Sequence, residues 1–165
     1  MALKVTLDTN CFFDYYERDS THLERLIHHA EQGTIELAMT TRVKSDTYDR
    51  WQGESVSPVW VRIQSFPLIK TIGTAFRLDV SRLDSGDFFV SEVQSQLIDD
   101  LFDVLRQAQP EDIDHVAGHI LGRRDLFVTS DKHFLDYSQE LLSRFGVLVL
   151  RPKDAADRIE RMPLV

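Results

Sequence analysis

The 165-residue chain has one cysteine, seven glycines, five prolines and no long hydrophobic run. The single cysteine, Cys11, excludes an intramolecular disulfide and a CxxC zinc site, and we expect it to be a buried thiol. No ten consecutive residues lack a charged side chain, which excludes a membrane-spanning helix from the sequence. The first ten residues contain no signal-peptide hydrophobic region, so we expect a cytoplasmic protein.

Basic residues are also fewer than acidic ones, because the chain has 19 Lys and Arg residues and 27 Asp and Glu residues. The net charge is therefore -8. This is the wrong sign for a protein that holds nucleic acid by bulk electrostatics, so an acidic ligand would need local basic groups or a metal ion. The apolar content of 42% is ordinary for a globular protein. We expect residues 1–165 to form one domain.

Strand and helix patterns alternate along the chain. A first strand at 3–8 runs into a predicted turn at 9–11, and a capping box of Thr21 with Glu24 predicts a helix start. The predicted strands are 3–8, 34–40, 125–130 and 147–150, and the predicted helices are 21–33, 42–51, 93–105, 111–122, 138–146 and 152–162. This order predicts an α/β fold, a three-layer α/β/α sandwich with a central, mainly parallel sheet. Residues 52–90 stay unassigned.

Four aspartates are candidates for a shared site. Asp8 and Asp131 each follow an apolar strand, and the carboxyl ends of parallel strands meet at one edge of a sheet. Asp46 lies about one and a half turns into the helix after the second strand. Asp112 opens the helix that leads to the strand before Asp131. We expect all four carboxylates to converge.

Clustered carboxylates repel each other, by roughly 4 kcal/mol for a pair about 4 Å apart at an effective dielectric constant near 20. Such a cluster needs protons or cations, and oxygen ligands without Cys or His favour Mg²⁺ or Mn²⁺. These ions suit phosphodiester hydrolysis, in which metal activates water and stabilises the departing oxygen. One or two ions are both compatible with the pattern.

Four segments in order resemble the motifs of the PIN-domain nucleases, which include the VapC-type toxins of toxin–antitoxin pairs. They are "VTLDTNCFFDYYE", "LAMTTRVKSD", "DIDHVAGHI" and "LFVTSDKHFL". The resemblance implies a PIN-like fold and a Mg²⁺- or Mn²⁺-dependent endoribonuclease, with an RNA substrate, an antitoxin partner and a homodimer. It covers residues 5 to 135 and assigns nothing to 52–90.

The resemblance also implies roles for individual residues. It makes Asp8, Asp46, Asp112 and Asp131 the catalytic, metal-binding acids, and it gives supporting roles to Asn10, Thr129 and Asp114. Phe134 matches the aromatic residue that follows the last acid. The second acid of the family is usually Glu, whereas this chain has Asp46. The third acid is either Asp112 or Asp114, and the Asp-x-x-His pattern with His115 favours Asp112.

Several other residues have two readings each. The basic residues nearest in sequence to the acids either meet substrate phosphates or are ordinary surface charge; they are Lys132, His133, Arg42, Lys44, Arg123 and Arg124. The aromatic run 12–16 either stacks on bases or packs in a core or dimer surface, and packing is favoured. His115 and His119 have the spacing of zinc ligands, but no third ligand is evident and packing against the sheet is favoured.

Two alternatives to a nuclease remain. The first is a catalytically degenerate PIN-like binding module without metal, in which Asp46 and the nearby Lys44 spoil the site. The second is a phosphatase or phospho-receiver on a similar sheet. The first strand ends in Asp-Thr-Asn rather than in paired acids, so we rank this alternative last.

Overall fold

The computed structural model describes residues 2–51, 56–74, 92–106 and 108–162. Strands and helices alternate through most of this part of the chain. In order, the elements are β1 (Leu3–Leu7), α1 (Thr9–Arg18), α2 (His22–Glu31), β2 (Ile35–Thr40), α3 (Arg42–Trp51), α4 (Pro58–Gln64), β3 (Lys70–Ile72), α5 (Glu92–Val104), α6 (Pro110–Leu121), β4 (Leu126–Val128), α7 (Lys132–Asp136), α8 (Ser138–Phe145), β5 (Leu148–Leu150) and α9 (Pro152–Glu160).

The five strands form one sheet in the order β3-β2-β1-β4-β5, and every pairing between neighbours is parallel. The chain builds the sheet outward from β1 in one direction and then, after β3, in the other. The strand order therefore reverses between β1 and β4, and a crevice at such a switch point is where open parallel sheets bind ligands.

Two apolar cores cover the two faces of the sheet. Leu126 and Val128 of β4 belong to one core, with side chains of α1, α2, α4 and α9, whereas Phe127 between them belongs to the other, with α5, α6 and α8. Successive side chains of a strand point to opposite faces, so this division places helices on both sides. The three-layer α/β/α prediction, with its parallel sheet, is confirmed.

The predicted turn at residues 9–11 is wrong, because helix α1 begins at Thr9 directly after the first strand. The Asp8 carboxylate accepts a hydrogen bond from the Thr9 amide, and Cys11 and Phe12 are buried in the core. The capping box of Thr21 with Glu24 is also wrong. Thr21 is the N-cap of α2 but makes no side-chain cap, and Glu24 accepts a hydrogen bond from the Tyr15 hydroxyl instead.

Part of the unassigned middle segment is regular structure. Helix α4 has Ser57 as its N-cap and Pro58 in its first turn, and β3 adds an edge strand beside β2. Residues 52–55 and 75–91 lie outside the described residues. No helix in the described ranges combines the length and the apolar character that crossing a membrane requires.

Candidate active site

Asp8 lies where β1 ends, at the switch point of the sheet, and only 3% of it is exposed. Its Oδ1 accepts from the Thr9 amide at 2.7 Å, and its Oδ2 accepts from Thr129 Oγ1 at 2.7 Å and from Asn10 Nδ2 at 3.3 Å. Burial raises the pKa of Asp8, although the hydrogen bond from Thr129 and the nearby His115 oppose this shift. The folded protein therefore favours a cation or a proton at this carboxylate.

Asp131 lies beside Asp8, at the end of the neighbouring strand, and caps helix α7. Its Oδ1 accepts from the His133 amide at 2.8 Å, and its own amide donates to Thr129 Oγ1 at 2.9 Å. Asn10 Nδ2 donates to Asp131 Oδ2 at 3.4 Å as well as to Asp8. The N–H groups of the Asn10 amide, whose hydrogens carry partial positive charge, thus lie between two carboxylates. A cation would be favourable at the same place.

Asp112 is in the first turn of α6 and faces the same place. Its Oδ2 accepts from the Gln109 amide at 3.1 Å. Burial raises the pKa of Asp112, and the negative charges of Asp8 and Asp131 raise it further, against the hydrogen bond from the Gln109 amide and the charge of His115. Asp114 is buried two residues further along α6, which is about 200° around the helix axis from Asp112.

Asp46 reaches the site from α3, but both of its oxygens already have strong donors. Thr9 Oγ1 donates to Oδ2 at 2.6 Å, His115 Nε2 lies 2.8 Å from the same oxygen, and Arg42 Nε donates to Oδ1 at 2.8 Å. Burial by itself would raise the pKa of Asp46, but hydrogen bonding and attraction to His115 outweigh burial and lower it. Asp46 is therefore the charged partner of two cations.

His115 provides a buried positive charge between the acids. Its Nε2 lies 2.8 Å from Asp46 and 3.7 Å from Asp8 Oδ1, and its Nδ1 lies 2.7 Å from Thr40 Oγ1. Burial alone would lower the pKa of His115, but the hydrogen bond and charge of Asp46, followed by the charge of Asp8, raise it to about 9. The surrounding carboxylates therefore favour the protonated imidazole.

The four predicted acids thus meet at one edge of the sheet, in two groups. Asp8 and Asp131 are linked through Asn10 with Asp112 nearby, whereas Asp46 is paired with His115 and Arg42. Within the part of the chain that the structure describes, no three His, Cys, Asp or Glu side chains are arranged to share one metal ion. Their roles as metal ligands stay a prediction.

The predicted substrate-binding residues differ in their availability. Arg42 is buried and forms ion pairs with Asp46 and Asp49, so it balances charge inside the site. Lys132 is exposed at the start of α7, next to Asp131, whereas Lys44 and His133 are half-buried. Arg124 binds Glu36 and the carbonyl of Val5, on the strands and away from their carboxyl ends.

Histidine and aromatic side chains near the site are mostly core residues. His119 is buried, lies 3.0 Å from Thr6 Oγ1 and packs edge-on against Phe127. Of the aromatic run, Phe12 and Phe13 are buried, whereas Tyr16 is exposed.

The sequence did not predict that two further arginines lie near the acids. Arg18 and Arg50 line a cavity of about 220 Å³ whose wall includes Asn10 and Asp131. Arg18 belongs to α1, a helix that the sequence patterns did not predict. Arg50 lies beyond the last motif residue of α3, so only the packing of α1 and α3 reveals their proximity.

Comparison with known proteins gives matches in structure only, since neither a protein-family model nor a curated protein sequence matches the chain. One similar structure is VapBC2 from Rickettsia felis bound to a DNA fragment from their promoter, at 14% identity and a TM-score of 0.59, covering 90% of this chain and 98% of that chain. Another is VapBC-1 from nontypeable Haemophilus influenzae, at 8% identity and a TM-score of 0.58, covering 92% and 99%. The chain therefore has the fold that its motifs predicted, that of the PIN domain.

Proposed function

We propose that the chain is a Mg²⁺- or Mn²⁺-dependent endoribonuclease, the toxin of a toxin–antitoxin pair. The observation that carries the proposal is the meeting of Asp8 and Asp131 at the switch point between β1 and β4, where the charge of Asp112 also acts. Their mutual repulsion is unfavourable without a cation, and the place is where parallel sheets bind ligands. The similar fold of the two VapBC structures supports the assignment.

The chemistry of the donors suits a hard divalent cation. Asp8, Asp112 and Asp131 offer carboxylate oxygens, and Mg²⁺ is commonly held by one or two carboxylates together with waters. Asp8 and Asp131 already share the Asn10 amide group, which marks the space between them. A bound ion supplies an activated water and stabilises the negative charge that develops on the phosphate.

The surrounding side chains position these acids. Thr129 donates to Asp8 and accepts from the Asp131 amide, so one hydroxyl fixes the spacing of both. Asp46 was predicted as a fourth ligand, but its negative charge is paired with His115 and Arg42, and in our proposal it holds His115 in place. The His115 cation then limits the negative charge of the site.

The direct test is cleavage of single-stranded RNA in Mn²⁺ by the Asp8→Asn variant. Asn is as good an N-cap as Asp, so helix α1 should persist while one negative charge is lost. We expect cleavage to fall by about 100-fold or more. Asp125→Asn is the matched control, because Asp125 is exposed and accepts from the Lys4 amide at the amino end of β4. Equal cleavage by Asp8→Asn and wild type would refute the proposal.

One observation favours the degenerate, metal-free binding module as the second candidate. Arg42 and His115 already place two positive charges beside Asp46, and no three described side chains are arranged around one ion. A module of this kind would keep the fold and lose the chemistry. Binding of Mn²⁺ separates the two candidates, because only the nuclease needs it.

An antitoxin partner is part of the proposal, because both similar structures are VapBC complexes. Helices α1, α3 and α4 pack against each other, and large apolar side chains on or next to them are exposed. These are Tyr16, Trp51, Val56 and Val61. We propose that these side chains form the surface that the protein partner covers. The proposal extends to a cytoplasmic homodimer.

Val61→Glu tests this surface, with Leu142→Glu as the matched control on α8. Val61 is 54% exposed and Leu142 is 41% exposed, so neither change should cost more than about 0.5 kcal/mol of folding stability. When each variant is co-expressed with the product of the adjacent gene, we expect Val61→Glu to lose the complex and Leu142→Glu to keep it, measured by light scattering. Equal retention of both complexes would remove this surface from the proposal.

A further inference from the structure

A cavity of about 220 Å³ opens directly beside the acids and has no role in the catalysis proposed above. Asn10 and Asp131 form the wall that it shares with the site. Phe13, Arg18 and Arg50 also line it. Because the cavity and the acids share these two residues, a chain whose phosphodiester lies at the acids would pass its adjoining nucleotide through the cavity.

Arg50 has the geometry of a stacking platform. Its guanidinium carbon lies 4.1 Å from the centre of the Phe13 ring, and Phe13 is 7% exposed, so the arginine covers a nearly buried aromatic ring. Arg50 Nη2 donates to Glu17 Oε2 at 2.6 Å, which fixes the plane from its edge. The Arg50 side chain is nevertheless 49% exposed. The guanidinium therefore lies over Phe13 while about half of the Arg50 side chain stays accessible from the cavity side.

The charges of the cavity favour a base over a phosphate. Asp14, Glu17 and Asp131 line it together with Arg18 and Arg50, and both arginines are paired with carboxylates. Three carboxylates against two arginines leave no excess positive charge for a phosphate, whereas carboxylates accept hydrogen bonds from the amino groups of a base. Unpaired bases also stack on guanidinium planes in RNA recognition. A base of single-stranded RNA satisfies each of these features.

Resting on the proposed nuclease function, we infer that this cavity holds one unpaired base next to the scissile phosphodiester, stacked on the Arg50 guanidinium. The substrate class is then single-stranded RNA, because a base within a duplex cannot enter. Glu17 orients the guanidinium, and Phe13 supports it from behind.

Arg50→Ala and Arg50→Lys test the inference, with fluorescent oligoadenylate as the probe and Asp8→Asn as the background that prevents cleavage. Arg50→Ala should weaken binding by about tenfold, the effect of losing one stacked base. Arg50→Lys should be nearly as weak, because an ammonium group keeps the charge but has no plane. In the cleaving protein, Arg50→Ala should raise KM and leave kcat almost unchanged.

Arg144 provides the matched control. It is 44% exposed, lies over Phe145 and pairs with Glu140, but it is on α8 and does not line the cavity. Arg144→Ala should bind oligoadenylate within about twofold of the background protein, since exposed pairs contribute little. Wild-type binding by Arg50→Ala, or full rescue by Arg50→Lys, would overturn the inference.

Failure of this inference is distinguishable from failure of the proposed function. Cleavage by the wild type with no effect of Arg50→Ala would remove the base site and leave the nuclease. Arg50-dependent binding without cleavage by the wild type would keep the base site and remove the nuclease.

Discussion

The aspartates at the end of β1 and β4 each have two tasks. Asp8 and Asp131 cap helices α1 and α7 through hydrogen bonds to backbone amides, and they also face each other across the Asn10 amide group. Capping a helix and forming the site are compatible for Asp8, because its Oδ1 accepts from the Thr9 amide while its Oδ2 faces Thr129 and Asn10 in the site.

The raised pKa of His115 predicts that the free energy of unfolding depends on pH. Its pKa of about 9 in the folded protein lies above the ordinary value of 6.5. Protonated His115 stabilises the fold. This contribution is fully present below about pH 6.5 and is lost as the pH rises through about 9. We expect the free energy of unfolding to fall on the order of 3 kcal/mol across this range, measured by urea denaturation.

Two glutamine variants test whether His115 is the group whose titration causes this pH dependence. His115→Gln should flatten the pH dependence, because the group that loses its proton is gone. His119→Gln should keep it, since burial lowers the pKa of His119 to about 4 and this histidine stays neutral throughout the range. An unchanged slope in His115→Gln would contradict the assignment of the buried charge.

At the scale of elements, the sequence predicted the helices and strands with strong periodicity and missed three helices and the short edge strand β3. Helix α1 was missed because the run Phe12, Phe13, Tyr15 and Tyr16 has no clear polar face, although Asp8 is an N-cap signal. Helix α7 has only five residues, and α4 only seven, which is too short for periodicity to identify. Packing and caps define these helices.

Helix α6 must lie close to β2, because Asp112 and His115 reach the site from it. Gly118 allows this approach, since a Cβ there would be 3.0 Å from Thr40 Cγ2 and 3.2 Å from Thr74 Cγ2. We expect Gly118→Ala to lower the free energy of unfolding by about 1–3 kcal/mol and to reduce RNA cleavage, because α6 must move. Urea denaturation and cleavage rates measure both effects.

A second substitution should reverse part of this loss. Thr40→Ser removes the methyl group nearest to the new Cβ and keeps the hydroxyl that lies 2.7 Å from His115 Nδ1. The double variant Gly118→Ala with Thr40→Ser should therefore be more stable than Gly118→Ala alone. A double variant that is less stable would show that close packing of α6 is not the cause.

For the whole molecule, the parallel topology made the meeting place of the acids predictable. Strand ends gather at one edge whatever the details of packing, so Asp8, Asp46, Asp112 and Asp131 could be assigned to it from the sequence. The hydrogen bonds of Asp46 and the cavity at Arg50 could not, because they depend on how α1, α3 and α6 pack. Sequence patterns indicate which face of a helix or strand is buried, but not which side chains of different elements contact each other.

The net charge of -8 means that the metal-binding test needs controls for background binding, because a protein with this charge attracts divalent cations at many weak surface positions. Calorimetric titration of Mn²⁺ into wild type, Asp8→Asn and Asp125→Asn measures the specific site above this background. We predict a saturable site in wild type and Asp125→Asn that is absent from Asp8→Asn. Identical titration of all three proteins, with weak background binding only, would contradict the account and leave a metal-free binding module.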